Sequence, residues 1–153
     1  EISLSCDILL ATPNTKFSDT HARVGLVAGW GLSQRLSRVI GLYRAKEMSL
    51  TGNFVSAQQA YEWGLVNHVV AQDELMPTAV SIAQDILSCV PESMLAYKHM
   101  IDRGYDLSLG DAMVYEKGFN RVHSSPPPEI VAGRRSGVQS RGREQARQDE
   151  NGG

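Results

Sequence analysis

Glu1, Asp7, Asp19 and His21 are the ionisable groups that border the first apolar run and the glycine-spaced stretch of this chain. A carboxylate and an imidazole brought together make an acid–base pair, one taking a proton while the other gives one. Residue types alone do not bring them together, and a solvated turn or cap group is the commoner fate of such residues. The second feature is residues 25–31, GLVAGWG, which open onto a helical pattern. A helix N-terminus attracts a phosphate or an oxyanion. No Gly-Lys-Ser/Thr follows, so this is not a Walker A loop, and the glycine offsets do not fit a dinucleotide fingerprint. A tight turn with close backbone packing is the plainer reading. His68 and His99 have no partners at metal-ligand spacing, and His123 beside the proline run is expected at the surface, so no metal site is expected.

The elements that must position these groups follow from periodicity and punctuation. Residues 7–12 (DILLAT), closed by Pro13-Asn14, read as a buried strand, and residues 15–19 (TKFSD) as a second short one. After the glycines, Leu32, Leu36, Val39 and Ile40 share one helical face, and Gly41 stops that helix. Helical pieces are expected over 44–50 and 56–63, the second capped by Ser56 and ended by Gly64, then a strand over 65–70. Asp73 is expected to cap a helix whose apolar positions are Leu75, Ala79, Ile82, Ala83, Ile86, Leu87 and Val90, with Pro77 in or near its first turn. Pro91 starts another helix to about residue 103. Ser108 and Asp111 then resemble a capping box for a helix with Ala112, Tyr115, Phe119 and Val122 on one face. Residues 126–128 are three prolines, and the Arg-rich, polar remainder reads as a helix fraying into a disordered end.

Bulk properties narrow the function classes. With 153 residues, 42% hydrophobic and 21% charged, the composition is that of an ordinary globular domain, and the short strands and helices read above make its class α/β. A net charge of −2 does not favour nucleic acid or an anionic membrane as partner, since Glu129, Glu144, Asp149 and Glu150 offset the arginines of the tail. Cys6 and Cys89 lack any pairing pattern and read as two buried thiols in a reducing compartment. No apolar run approaches the roughly 20 residues that cross a bilayer.

The order of these pieces resembles the second half of the enoyl-CoA hydratase/isomerase (crotonase) family. Glu1-x4-Cys6-Asp7-Ile8 resembles the family run in which Gly-Gly-x-Glu-Leu leads through a helix to Cys-Asp and a strand. Phe17 falls where a family phenylalanine leads into the second active-site loop. Residues 25–31 followed by 32–36 (LSQRL) resemble the glycine-rich loop and the Thr-Gln-Arg-Leu helix. Residues 48–52 (MSLTG), Ser56-Ala57 and Gly64-Leu65-Val66 match the stretch after it, so the likeness is collinear over residues 1–72. Beyond that it rests on helical layout and an Ala-Gly-Arg-Arg run.

The resemblance implies a crotonase-like ββα spiral, present here as its C-terminal half, followed by a helical oligomerisation region. It divides the chain into part of the core (1–72), a helical region (73–125) and a polar, Arg-rich, partly disordered tail (126–153). It also implies that the family's N-terminal half precedes Glu1 and carries both backbone N–H donors of the oxyanion hole, so that this fragment lacks the hole and is inactive alone. The substrate class would be an acyl group carried as a coenzyme A thioester, with no separate cofactor. Hydratases of the family place two glutamates about a water. Glu1 matches the first and acts as base; His21 stands where the second is expected and is the candidate proton donor. An imidazole, with a reference pKa of about 6.5, exchanges protons near neutrality. Phe17, Gly29, Trp30 and Gly31 are assigned to substrate binding. The implied assembly is a homo-oligomer, trimer or hexamer, in the cytoplasm, or in the peroxisome or mitochondrial matrix of a eukaryote.

Three activities remain open at this point. The first is hydration of a 2-enoyl-CoA. The second is other acyl-CoA chemistry on the same scaffold, double-bond isomerisation or thioester hydrolysis. The third is a non-catalytic, truncated helical module.

Overall fold

In a computed structural model, which describes residues 1–123 and 126–151, the chain forms two compact units, Glu1–Val90 and Pro91–Gly153. The first unit carries four short strands, β1 (Leu10–Ala11), β2 (Lys16–Phe17), β3 (Val55–Ser56) and β4 (His68–Val69). Around them stand helices α1 (Leu32–Ile40), α2 (Leu42–Thr51), α3 (Ala57–Glu62) and α4 (Leu75–Leu87). The second unit holds α5 (Pro91–Tyr105), α6 (Leu109–Val122) and α7 (Pro128–Asn151). Ser124, Ser125, Gly152 and Gly153, on which the expected disordered end partly falls, lie outside the described residues.

Two strand pairs organise the first unit. β1 runs parallel to β4, Leu10 opposite His68 and Ala11 opposite Val69. Asn67 extends this ladder from both its backbone and its side chain. Its N–H donates to the Leu9 carbonyl at 2.8 Å, while its Oδ1 accepts the Leu9 N–H at 2.8 Å. β2 is antiparallel to β3, pairing Lys16 with Ser56 and Phe17 with Val55. Strands only two residues long supply few ladder bonds, so the fold depends on what packs over them. That layer is Leu32, Leu36 and Ile40 of α1, Ala45 and Met48 of α2, and Ala57 and Ala60 of α3, closing with Leu65 and Val66 over Ala11 and Val55. Leu36 is only 2% exposed; a leucine buried so fully contributes about 1.5–3 kcal/mol. Val39, expected on the same face, is 43% exposed because it lies at the edge of that stripe.

Helix ends follow the punctuation closely. Ser56 caps α3, its Oγ accepting the Gln59 N–H at 3.2 Å, an arrangement worth about 1 kcal/mol. Gly41 and Gly64 have φ of 85° and 78°, which an L side chain rarely adopts. Ser108 caps α6 through the Asp111 N–H, and its hydroxyl also donates to the Asp111 carboxylate at 2.7 Å.

Several expectations are corrected. Glu74, not Asp73, occupies the N-cap of α4, with no side-chain cap bond, because the turn before it closes through the Glu74 N–H to Ala71. No residue of α4 is fully buried, for its apolar stripe meets little more than the two-residue strand β1. Both cysteines are exposed. The Cys6 thiol donates to the Ile2 carbonyl and the Cys89 thiol to the Asp85 carbonyl, four residues back, so neither needs a core to satisfy it. In the second unit α5 packs on α6, where His99, Tyr115 and Phe119 meet ring to ring at 5.7–6.3 Å. His123 stacks on Phe119 as well, at 5.7 Å; His68, His99 and His123 are all exposed.

Candidate active site

Glu1 sits just ahead of a 3-10 turn, Ser3–Ser5, and His21 begins a second one, His21–Val24. Different parts of the fold hold the two turns. α1 reaches back to the first: the Arg35 guanidinium donates to the Leu4 carbonyl at 3.0 Å and to Ser5 Oγ at 3.2 Å. Ser5 Oγ in turn donates to the Glu1 carbonyl at 3.1 Å. The second turn leans on the end of α2, where Ser18 Oγ donates to the Gly52 carbonyl and Arg23 to Asn53 Oδ1.

These supports bring the carboxylate and the imidazole together. His21 Nε2 lies 3.8 Å from Glu1 Oε2, and the two side chains keep 30% and 17% of their exposure. That separation exceeds a direct hydrogen bond, so both atoms remain able to contact one oxygen beside the gap. The other carboxylate oxygen, Glu1 Oε1, accepts the backbone N–H of Trp30 at 2.9 Å. The glycine-spaced loop therefore orients an anion, and that anion is the protein's own glutamate. Gly31, with φ of 89°, ends the loop and caps α1.

On its far side His21 meets Asp19. Nδ1 stands 2.7 Å from Asp19 Oδ1, and the same oxygen accepts the His21 backbone N–H at 3.2 Å. Asp19 is 5% exposed. Burial by itself pushes its carboxyl up, but hydrogen bonds from Ser49 and His21, together with the imidazole's charge, outweigh it and hold the group below the usual aspartate range.

Of the residues picked out from sequence, Glu1, His21 and the Trp30 backbone converge, with Asp19 behind them. Phe17 stands in β2, half-buried against the core. Trp30 is 73% exposed and a Cβ at Gly29 would meet nothing within 4 Å, so the loop presents an open face beside the pair. Asp7 is exposed. Ser49 and Arg35 escaped notice as supports; the Asp-x-His spacing, which suits a side chain bonding its own backbone two residues on, was the available signal for Asp19. A cleft of about 160 Å³ in the second unit, lined by Tyr97, Met100, Phe119 and His123 among others, carries no carboxylate and so no comparable pair. Among the described residues, no cluster of three or more His, Cys, Asp or Glu is placed to hold a metal.

The enoyl-CoA hydratase/isomerase family model matches residues 1–126. The chain belongs to that family. It is 41% identical over 144 residues to the "Probable enoyl-CoA hydratase 1, peroxisomal" of Arabidopsis thaliana, covering 89% of this chain and 54% of that protein. It is 39% identical over 116 residues to the "Short-chain-enoyl-CoA hydratase" of Clostridium acetobutylicum, covering 76% and 44%. The crystal structure of the enoyl-CoA hydratase from Bacillus anthracis superposes with a TM-score of 0.80 at 32% identity, over 91% of this chain and 54% of that one. The fold is accordingly part of a crotonase fold, and the chain spans about half the length of the curated relatives it matches. Among the described residues no helix is long and apolar enough to cross a membrane.

Proposed function

We propose that the full-length protein is an enoyl-CoA hydratase, a lyase adding water across the double bond of a 2-enoyl-CoA thioester. The observation that carries this is the Glu1 carboxylate facing His21 Nε2 at 3.8 Å, both partly open to the outside. In the forward direction Glu1 takes a proton from water as its oxygen bonds to the β-carbon of the thioester. Protonated His21 gives a proton from Nε2 to the α-carbon, and the elements of one water have been added. Charge developing on the thioester oxygen needs donors outside this chain, as the family likeness implies. Trp30 and Gly29 to Gly31 line the approach to the pair, and Phe17 supports it from β2. Coenzyme A enters as part of the substrate, so no separate cofactor is invoked. The relatives' names favour hydration over isomerisation or thioester hydrolysis on the same scaffold. We further assign the helical second half to a homo-oligomeric assembly, trimer or hexamer. The peroxisomal relative makes that compartment, or the mitochondrial matrix, the eukaryotic alternative to the cytoplasm.

The test is product analysis of the full-length protein on a panel of acyl-CoAs. The 3-hydroxyacyl-CoA should form from crotonyl-CoA, and Glu1→Gln should lower its rate by about 10²–10⁴-fold, the usual worth of a general acid or base. A shifted double bond or free coenzyme A as the main product would transfer the assignment to isomerase or hydrolase. Equal rates for Glu1→Gln and wild type would remove Glu1 from the chemistry.

A further inference from the structure

Asp19 has a place in the fold that a turn cap alone does not require. It is buried to 5% exposure, it lies on the side of His21 away from Glu1, and its Oδ1 takes both the backbone N–H and the ring of the same histidine. Ser49, from the last turns of α2, hydrogen-bonds the carboxylate as well. Ser49, Asp19, His21 and Glu1 thus form a chain running from the helical layer to the open face.

We propose that Asp19 is a positioning residue that fixes the His21 tautomer, keeping a proton on Nδ1 so that Nε2 alone exchanges protons in the gap at Glu1. This rests on the acid–base reading above. An ionised carboxylate only accepts hydrogen bonds. The ring atom 2.7 Å from it must therefore be N–H, and the neutral imidazole then offers a lone pair at Nε2. When Nε2 also gains a proton, the buried carboxylate stabilises the resulting imidazolium, as in other carboxylate–imidazole pairs. Asp19 has no atom at the Glu1 gap in this arrangement and acts only through the ring. The other groups that bond the two carboxylates are the Ser49 side chain and the Trp30 backbone N–H, neither of which carries charge.

Because one oxygen accepts both the backbone N–H and the ring N–H, an amide oxygen left in that place would hold the same tautomer, and the informative variant is Asp19→Ala, which leaves Nδ1 with no carboxylate to hold its proton. The experiment is 15N spectroscopy of the imidazole nitrogens of neutral His21 in the full-length protein, beside steady-state kinetics with crotonyl-CoA. Wild type should show the Nδ1–H form. Asp19→Ala should move population to Nε2–H and lower kcat about 10²–10⁴-fold, with KM changed less than about twofold and an unaltered circular dichroism spectrum. A wild-type Nε2–H tautomer overturns the proposal without any variant being needed. Retention of both the Nδ1–H form and kcat in Asp19→Ala shows that the carboxylate does not set the tautomer and also overturns it. If the tautomers behave as expected but no acyl-CoA is hydrated, the positioning role stands and the hydration reading fails.

Discussion

The carboxyl of Asp19 is the one group among those discussed whose ionisation is tied to folding in a predictable direction. Burial opposes its charge, while Ser49 and His21 more than offset that cost. Its folded pKa therefore lies below its unfolded one, about 3.9 for aspartate. A group with that order contributes stability fully above the unfolded pKa, and the contribution is lost as pH falls through the folded value. The urea midpoints of wild type and Asp19→Asn should accordingly differ most above about pH 5 and converge as the solution is acidified below about pH 4. A gap between the two that stays constant with pH would mean that packing, and not the charge, makes Asp19 worth burying. Glu1 differs from Asp19 in kind. It keeps solvent access, and its Oε1 accepts the Trp30 N–H while its Oε2 faces His21.

Among the elements, the His21 turn and the end of α2 depend on one glycine. Gly52 has φ of 61°, and a Cβ built there would lie 2.8 Å from the Arg23 side chain. Its carbonyl also accepts the Ser18 hydroxyl two residues after β2 begins. Gly52→Ala faces a left-handed backbone, costing about 1–2 kcal/mol, and must also displace Arg23, which stands two residues beyond His21. The expected result is a lower thermal midpoint together with loss of hydration rate. The equivalent change at Gly137, in α7 with nothing within 4 Å, should leave the rate intact and the midpoint unchanged or raised. Equal midpoints for Gly52→Ala and wild type would show that the left-handed end of α2 is not needed. Gly137 makes the contrast fair, since alanine is favoured by about 1 kcal/mol over glycine inside a helix.

At the scale of the whole molecule, the described residues leave large apolar side chains uncovered. Val27 is 92% exposed, Leu87 78%, Leu109 80% and Val122 84%, and α4, α5 and α6 together bury only Ala96. Apolar side chains left in water in such number favour association or aggregation. The 153-residue chain expressed by itself should bind a hydrophobic dye and elute above its monomer mass at micromolar concentration. A monodisperse monomer that melts cooperatively and binds no dye would refute this.

Local signals were readable without coordinates. Gly41, Gly64 and the Ser56 and Ser108 caps act through neighbours within a few residues, and the α1 stripe of Leu32, Leu36 and Ile40 needs only helical spacing. The family likeness over the first part of the chain was legible for the same reason, because loop glycines and the helix after them form one collinear run. Sequence also named Glu1 and His21, and the resemblance implied base and proton donor for them, but not the contacts that bring them together. Their meeting depends on Arg35 pulling the first turn to α1 and on Gly52 and Asn53 seating the second, contacts spanning about thirty residues. Burial of the two cysteines was misjudged because residue type does not tell whether anything packs over a side chain, just as the periodicity of α4 tells which face is apolar and not whether anything stands opposite it. Asp19 shows the same limit: its partner Ser49 lies thirty residues on, in another helix. Only the packed fold decides whether a carboxylate two residues before a histidine is a solvated cap or the buried group that orients its ring.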